Sequence, residues 1–486
     1  MSKNPRDPVV VSAVRTPVTK ARRGALKDTR PDDLMIFAIK GALERAPGLP
    51  PEEIADVIIG TATPEGEQGM NVARIAALGA GLPDVVPGMT VNRFCSSGLQ
   101  TLAIAAANIQ ANYYDAALSG GVESMSQLGM GGDRPTPNPA LMRSDPKIYT
   151  TMGLTSENVA RQFEVSRETQ DAFALRSHQR AAAAIDAGKF VEEIVPVETR
   201  VYKDGTWHDI TVTTDDGVRR DTSLAGLARL RPVFAAKGTT TAGNASQVSD
   251  GAAATIVVAR EKAEEWGLPN MGVMRSYAVV GVPPEIMGIG PSAAIPAALE
   301  KAGVTLEDIG LFEINEAFAS QATYCVRKLG IDEDKVNVHG GAIALGHPLG
   351  CTGAKLTATL LHEMRRENIQ YGVVSMCIGG GMGAAAVFEN EDYAAPQKKA
   401  SFYRTIDGQR YDRALLEAAE ASVAGAGDGR VSVSDAETLF DLIIDGNKYT
   451  AIEKATVRYI RDNFKFTEAA DAYLRGAIRS WAASKK

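Results

Sequence analysis

The chain carries an internal duplication, and this constrains its fold more than any other feature. The segment G-L-P-P-E-E-I-A-D-V-I-I-G (Gly48 to Gly60) matches G-V-T-L-E-D-I-G-L-F-E-I-N (Gly303 to Asn315). Both read as an acidic turn or helix start followed by a buried strand. A displacement of about 255 positions then recurs. F-C-S-S-G-L-Q-T-L opening at Phe94 aligns with G-C-T-G-A-K-L-T-A opening at Gly350, and Y-D-A-A-L-S-G-G at Tyr114 with Y-G-V-V-S-M-C-I-G at Tyr371. Matched segments at a near-constant displacement predict a duplicated α/β unit. Each half alternates apolar strands (Val9 to Val14, Val57 to Ile59, Ala116 to Ser119; then Val273 to Val280, Leu311 to Ile314, Val373 to Met376) with helices such as Leu99 to Gln110 and Lys355 to Arg365. That pattern predicts mixed or parallel sheets covered by helices, one sheet per half.

The 486 residues exceed what one core organises. The sequence divides into a first half over 1–272, a second half over 273–390 and a tail over 391–486. Within the first half, about 126–240 holds Pro-Thr-Pro-Asn-Pro, a long polar helix near Ser166 to Ala187 and the charged T-T-D-D-G-V-R-R-D stretch. It is too long for a connector and reads as an inserted lobe beside the active site. The tail has 15 basic and 15 acidic residues and amphipathic helix patterns over Asp435 to Ile444, Thr450 to Asn463 and Thr467 to Ala483. Its apolar positions, among them Phe440, Leu442, Ile443, Tyr459 and Ile460, are expected to pack on the core, a neighbouring subunit or a partner. Ala424 to Asp435 has the glycine and hydrophobic positions of an EF-hand loop, but alanine at ligand positions one and three and Asp at twelve argue against calcium.

A formal charge of −7 without a long Lys/Arg run excludes an electrostatic footprint for nucleic acid. No window approaches the ~20 apolar residues that span a bilayer. The start passes within a few residues into a strand-like run, unlike a signal peptide, and the final Ser-Lys-Lys is not the peroxisomal Ser-Lys-Leu, so a cytoplasmic protein is expected. Cys95, Cys325, Cys351 and Cys377 are too few in so long a chain for a disulfide framework.

Four motifs carry chemistry: V-N-R-F-C-S-S-G (Val91 to Gly98), N-E-A-F (Asn315 to Phe318), G-G-A-I-A-L-G-H-P-L-G (Gly340 to Gly350) and C-I-G-G-G-M-G (Cys377 to Gly383). Cys95 lies between a strand-like run and a helix start, where exposed N–H groups and the helix dipole are expected to favour thiolate. That makes it the candidate nucleophile. His347, between Gly346 and Pro348, is presented from a stiff turn and suits a base near neutral pH. Cys377 opens a glycine run and can act as acid or base toward a carbon, while the amides of Cys95 and Gly379 can hold a thioester oxyanion. Asn315 would help His347 position a water or hold the other carbonyl oxygen. His178, His208, His339 and His362 lack such settings and read as structural or surface residues. Cys325 and Cys351 read as non-catalytic, and no metal site is expected.

In order and spacing these motifs, with T-A-G-N-A-S-Q-V-S-D-G-A-A-A (Thr241 to Ala254), resemble the thiolases over about residues 8 to 390. The resemblance implies an α/β fold of five layers, α-β-α-β-α, with an inserted loop domain that binds coenzyme A; the helical C-terminal appendage lies outside it. It implies coenzyme A as co-substrate rather than a permanently bound cofactor, acyl-CoA substrates, and a homodimer or homotetramer. For coenzyme A it points to Arg219 in V-R-R-D, Ser246 in G-N-A-S-Q and Met152 in M-G-L-T-S-E-N; Arg220 is an equal phosphate candidate by charge alone. Thiolases making short products usually carry His before the Met-Gly of the loop domain, where this chain has Thr151. V-N-R-x-C-S-S-G-L-Q and V-S-M-C-I-G-x-G-M-G-A-A-A-V-F look more like the degradative, particularly the peroxisomal, 3-oxoacyl-CoA thiolases. Cleavage of 3-oxoacyl-CoA is therefore the expected function, with acetoacetyl-CoA synthesis second. A ketoacyl synthase would need His where Cys377 stands, and an inactive scaffold would have lost Cys95 or His347.

Overall fold

The computed structural model describes residues 3–395, 402–424, 429–444 and 449–484. The chain divides into two units, Met1–Ala394 and Ala395–Lys486. The strands of the larger unit are β1 (Pro8–Arg15), β2 (Thr19–Lys20), β3 (Ile54–Gly60), β4 (Gly88–Val91), β5 (Ala116–Ser124), β6 (Val197–Lys203), β7 (Thr206–Val212), β8 (Ser249–Ala259), β9 (Gly272–Gly281), β10 (Ile309–Ile314), β11 (Tyr371–Ile378) and β12 (Met382–Glu389).

The duplication read from the sequence is a duplication of topology. One half orders its strands β4-β3-β5-β8-β1 and the other β10-β11-β12-β9. β3 runs parallel to β5, which is antiparallel to β8, which is antiparallel to β1. β10, β11, β12 and β9 repeat the same directions. Even the edge repeats: β4 pairs parallel with β3, and Val336 makes a parallel bridge to Phe312 of β10. The strands of the two halves form one continuous sheet rather than the expected one sheet per half, because β1 pairs at its start with β9, Val9 with Val273 and Val10 with Gly272.

The helices Ser97–Gln110 and Thr352–Arg366 lie between the two sheet halves, in one core with residues of both. Helices Pro31–Glu44 and Val72–Gly79 cover the outer face of the first half, and Gly290–Ala302 and Ala319–Leu329 that of the second. Five layers result. β5 and β8 are buried along their whole length because helices cover both faces. The two central helices cross at glycine: a Cβ on Gly98 would lie 2.8 Å from the Ala354 nitrogen, and one on Gly353 only 2.3 Å from that of Leu99. That close crossing brings the heads of both helices, with Cys95 and Cys351 just before them, together in the middle layer of the larger unit.

Between β5 and β8 lie helix Met152–Gln162, the long helix Arg167–Asp186, capped by Ser166, and a β6–β7 hairpin. The smaller unit holds a hairpin, Tyr403–Ile406 with Gln409–Asp412, and helices Arg413–Ala424, Val433–Ile444, Ala451–Asn463 and Glu468–Ser484. It has its own core, including Leu415, Leu416, Leu439, Ile443, Ile460 and Leu474, with Phe440, Leu442 and Tyr459 packed against it. The apolar face expected to need a neighbour is thus buried within the unit itself. Residues 425–428 of the EF-hand-like loop lie outside the described residues. Among the described residues, no helix is long and apolar enough to cross a membrane and no group of His, Cys, Asp or Glu could hold a metal ion.

Candidate active site

Cys95 sits in the single turn Phe94–Ser96 at the head of helix Ser97–Gln110. The preceding residue, Phe94, has φ 44°, a left-handed conformation that bulky residues rarely adopt. Its surroundings hold it there. Its amide donates to Asn92 Oδ1 at 2.8 Å, and its carbonyl accepts from Ser97 Oγ at 2.7 Å. The amides of Gly379 and of Cys95 itself point at the Cys95 sulfur and favour the thiolate, but burial outweighs them and pushes the thiol up to about 12. The expectation of a dipole-stabilised resting thiolate is therefore corrected: Cys95 is 6% exposed, and the desolvation of a thiolate there exceeds what the helix start returns.

Cys377, near the end of β11, is fully buried beside Met287, Ala317 and Phe318. Burial, with Cys95 and Cys325 nearby, raises its thiol well above the ordinary range. Asn315 follows β10, its amide bonded to Ser375 O at 2.9 Å across to β11. Its Nδ2 donates to His347 Nε2 at 3.3 Å, while its buried Oδ1 finds no partner among the described residues. His347 follows Gly346, whose φ of 97° is open to glycine, and its amide donates to Gln247 O at 3.0 Å.

Thr352, unforeseen in the sequence, fixes the imidazole. Its hydroxyl donates to Pro348 O at 2.9 Å, so it accepts from Nδ1–H of His347 at 2.5 Å. Nε2 is left as the basic nitrogen. Burial, then Lys355, lowers the His347 pKa to about 3. At rest the imidazole of His347 and the thiol of Cys95 are thus both neutral.

A folded-state pKa below the ordinary 6.5 means that the unfolded chain takes up a proton the fold refuses. This contribution to stability is complete above pH 6.5 and is lost as pH falls toward 3. Between pH 6.5 and 5 the loss is about 2 kcal/mol. Urea denaturation at those two pH values should therefore show His347→Asn losing about 2 kcal/mol less than the parent; equal losses would show that His347 takes up protons in the fold.

A cavity of about 640 Å³ opens at Cys95, lined also by Phe94, Met130, Ile148, Met152, Leu349 and Gly379. Of the residues expected to contact coenzyme A, Met152 lies in this cavity. Arg219 lines a separate pocket of about 170 Å³ with His178, Ser223 and Gln247. Ser246 lines neither cavity, and its amide donates to Ala317 O at 3.0 Å. Arg220 is held by both oxygens of Asp186 at 2.8 Å. Glu316, the acid of N-E-A-F, was not singled out from sequence. Buried, it accepts from Ser177 Oγ at 2.6 Å, Asn337 Nδ2 at 2.9 Å and the Ile343 amide at 3.2 Å, tying its loop to the segment before His347.

The thiolase N-terminal domain matches residues 8–261 and the thiolase C-terminal domain residues 268–390. The chain is 58% identical over 389 residues to a 3-ketoacyl-CoA thiolase of Bacillus subtilis (strain 168), covering 79% of this chain and 99% of that one. It is 55% identical over 386 residues to the peroxisomal 3-ketoacyl-CoA thiolase A of Mus musculus, covering 79% and 91%. Among solved structures, the dimeric peroxisomal thiolase of Saccharomyces cerevisiae superposes with a TM-score of 0.74 at 43% identity, over 80% of this chain and 99% of that one. A Bacillus anthracis acetyl-CoA acetyltransferase gives 0.72 at 40% identity, over 79% and 98%. The chain belongs to the thiolase family.

Proposed function

We propose that the protein cleaves 3-oxoacyl-CoA with coenzyme A to acyl-CoA and acetyl-CoA, as in fatty acid β-oxidation, through an acyl group carried on Cys95. The observation that supports this best is Cys95 on the wall of a cavity with the Gly379 amide aimed at its sulfur, and with Cys377 buried close enough for Cys95 to oppose its ionisation. His347 takes the Cys95 proton on Nε2 as the sulfur attacks the 3-keto carbon. The Cys95 and Gly379 amides hold the thioester oxygen of the acyl-enzyme, and Asn315 with His347 a water or the other carbonyl oxygen. The C2–C3 bond breaks, its electron pair forming the acetyl-CoA enolate, which takes a proton from Cys377. Coenzyme A then attacks the acyl thioester, giving its proton to the Cys377 thiolate, while Cys95 leaves as thiolate and takes back the proton held on His347 Nε2, which restores all three groups. Because Cys95 starts as a thiol, proton transfer accompanies attack rather than preceding it.

Met152 in the cavity supports a role against the pantetheine end, while Arg219, in the separate pocket, is proposed for phosphate on the family motif. Ser246, outside both, stands on the family motif alone. The lobe at about 126–240 would carry coenzyme A, within a first half over 1–272 and beside a second over 273–390. Similarity to the two 3-ketoacyl-CoA thiolases supports degradation, whereas the acetyltransferase neighbour keeps acetoacetyl-CoA formation as the second reading. Thiolysis rates of acetoacetyl-CoA and of 3-oxodecanoyl-CoA decide between them: the proposal expects the longer substrate to be cleaved at least as fast, and acetoacetyl-CoA alone being cleaved would favour the second reading.

A homodimer is part of this reading. β4 is the edge strand of its half, and Met89 on it and Met70, Leu78 and Val85 near it are exposed, a surface that a second copy would cover. A cytoplasmic location belongs to the same reading. The unit Ala395–Lys486 has its own core and residues 391–486 lie beyond the family match, so 391–486 are proposed to be dispensable for chemistry and to bind no calcium. A truncation after Asn390 should keep coenzyme A-dependent thiolysis. Loss of activity in a soluble, dimeric truncation, or calcium uptake by this segment in calorimetry, would refute that.

A further inference from the structure

Glu123, near the end of β5, takes no part in the reaction above, yet it is a carboxylate buried behind Cys95 with 1% of its surface exposed. Its Oε2 accepts from the amides of Ala62 at 2.8 Å and Gly350 at 2.7 Å. Its Oε1 accepts from Thr61 Oγ1 at 3.2 Å and from the side-chain amide of Gln68. Gln68 is itself held, donating to Thr63 O at 2.8 Å and accepting from the Ser124 amide at 3.1 Å.

These donors come from both halves of the duplication. Thr61, Ala62 and Gln68 follow β3, and Gly350 ends the turn that presents His347. No main-chain hydrogen bond among the described residues joins 61–68 to 346–350, so the carboxylate is the hydrogen-bonded link between them. Ala62 and Leu349, flanking the two bridged amides, pack in one cluster with Cys95. An apolar side chain here would strand two buried N–H groups, and a neutral amide would turn a donor toward a donor. The charge also opposes ionisation of Cys95, so activating the thiol is not its use.

We propose that Glu123 is a positioning residue for acyl transfer, holding the wall behind Cys95 and the turn carrying His347 in register through one amide donor from each half. The inference rests on the reading of Cys95 as nucleophile and His347 as base.

The test compares Glu123→Gln and Glu123→Asp with the parent, all as full-length chains. Kinetics of acetoacetyl-CoA thiolysis are measured alongside the rate at which iodoacetamide alkylates Cys95. A misplaced base costs turnover, so kcat is expected to fall by about 100-fold in Glu123→Gln, with KM for coenzyme A unchanged. Alkylation proceeds through the Cys95 thiolate and needs no aligned 3-oxoacyl substrate, so it should be as fast as in the parent or faster because the charge opposing ionisation is gone. Glu123→Asp keeps the charge but is too short to hold both amides, and should lose kcat without that gain in alkylation. Should Glu123→Gln not fold, Gln68→Leu combined with Thr61→Val removes only the Oε1 partners and should lower kcat by about 10-fold. A parental kcat in whichever variant folds overturns the proposal, as does an equal loss of kcat and alkylation. Cys95→Ala run in parallel separates the two levels: turnover without Cys95 sinks the reading of the site, whereas a Cys95-dependent enzyme indifferent to Glu123 sinks this inference alone.

Discussion

Cys95→Ala is expected to lower kcat for thiolysis by about 10⁴-fold or more, leaving binding of coenzyme A intact. The variant keeps the small turn at the helix head and the Gly379 amide, so the oxyanion donors stay in place while the atom that forms the covalent bond is gone. No other thiol can substitute. Cys325 lies in helix Ala319–Leu329 and contacts Gly288 O, and Cys351 packs against Ala253 and Ala354. Both are fully buried, and neither lines the cavity that opens at Cys95. Steady-state assays with circular dichroism as a control for folding check this; a kcat within tenfold of the parent would contradict the covalent route.

Cys377→Ala should divide the two half-reactions. Its thiol is proposed to protonate the departing enolate, a step absent when Cys95 is acylated by a simple acyl-CoA. Cleavage of 3-oxoacyl-CoA should fall by about 10²- to 10⁴-fold, while acylation by acetyl-CoA, followed by release of coenzyme A, continues. The parent's buried Cys377 thiol is protonated across the neutral range because burial and the neighbouring cysteines oppose its ionisation. That is the state an acid needs. Equal loss of both half-reactions would show that the two cysteines act in one step.

The alternation of strands and helices was legible because the duplication writes the same signals twice; the five-layer stacking came from the resemblance, and the joining of both halves into one sheet through β1 and β9 from neither. What escaped were features created by the folded chain. Glu123, Thr352 and Glu316 acquire partners only when segments far apart in sequence meet, and no local pattern announces a buried carboxylate waiting for two amides. The thiolate expectation for Cys95 failed for the same reason: helix dipoles are local, whereas desolvation is a property of the whole packed interior. Two hairpins escaped although the signal was present. Asp204–Gly205 and Asp407–Gly408 both take left-handed φ at their turns, as Asp-Gly does between paired strands. Arg219 and Ser246 were placed by motif, and a motif alone does not tell which cavity a side chain will line.

The central claim, an acyl group carried on Cys95, is tested most directly by incubating the enzyme with a 3-oxoacyl-CoA in the absence of free coenzyme A and mapping the product by peptide mass spectrometry. One acyl mass per chain on the peptide holding Cys95, removed again by adding coenzyme A, is the predicted result; an acyl mass on the peptide of Cys351 or Cys377, or turnover without any acylated cysteine, would contradict it.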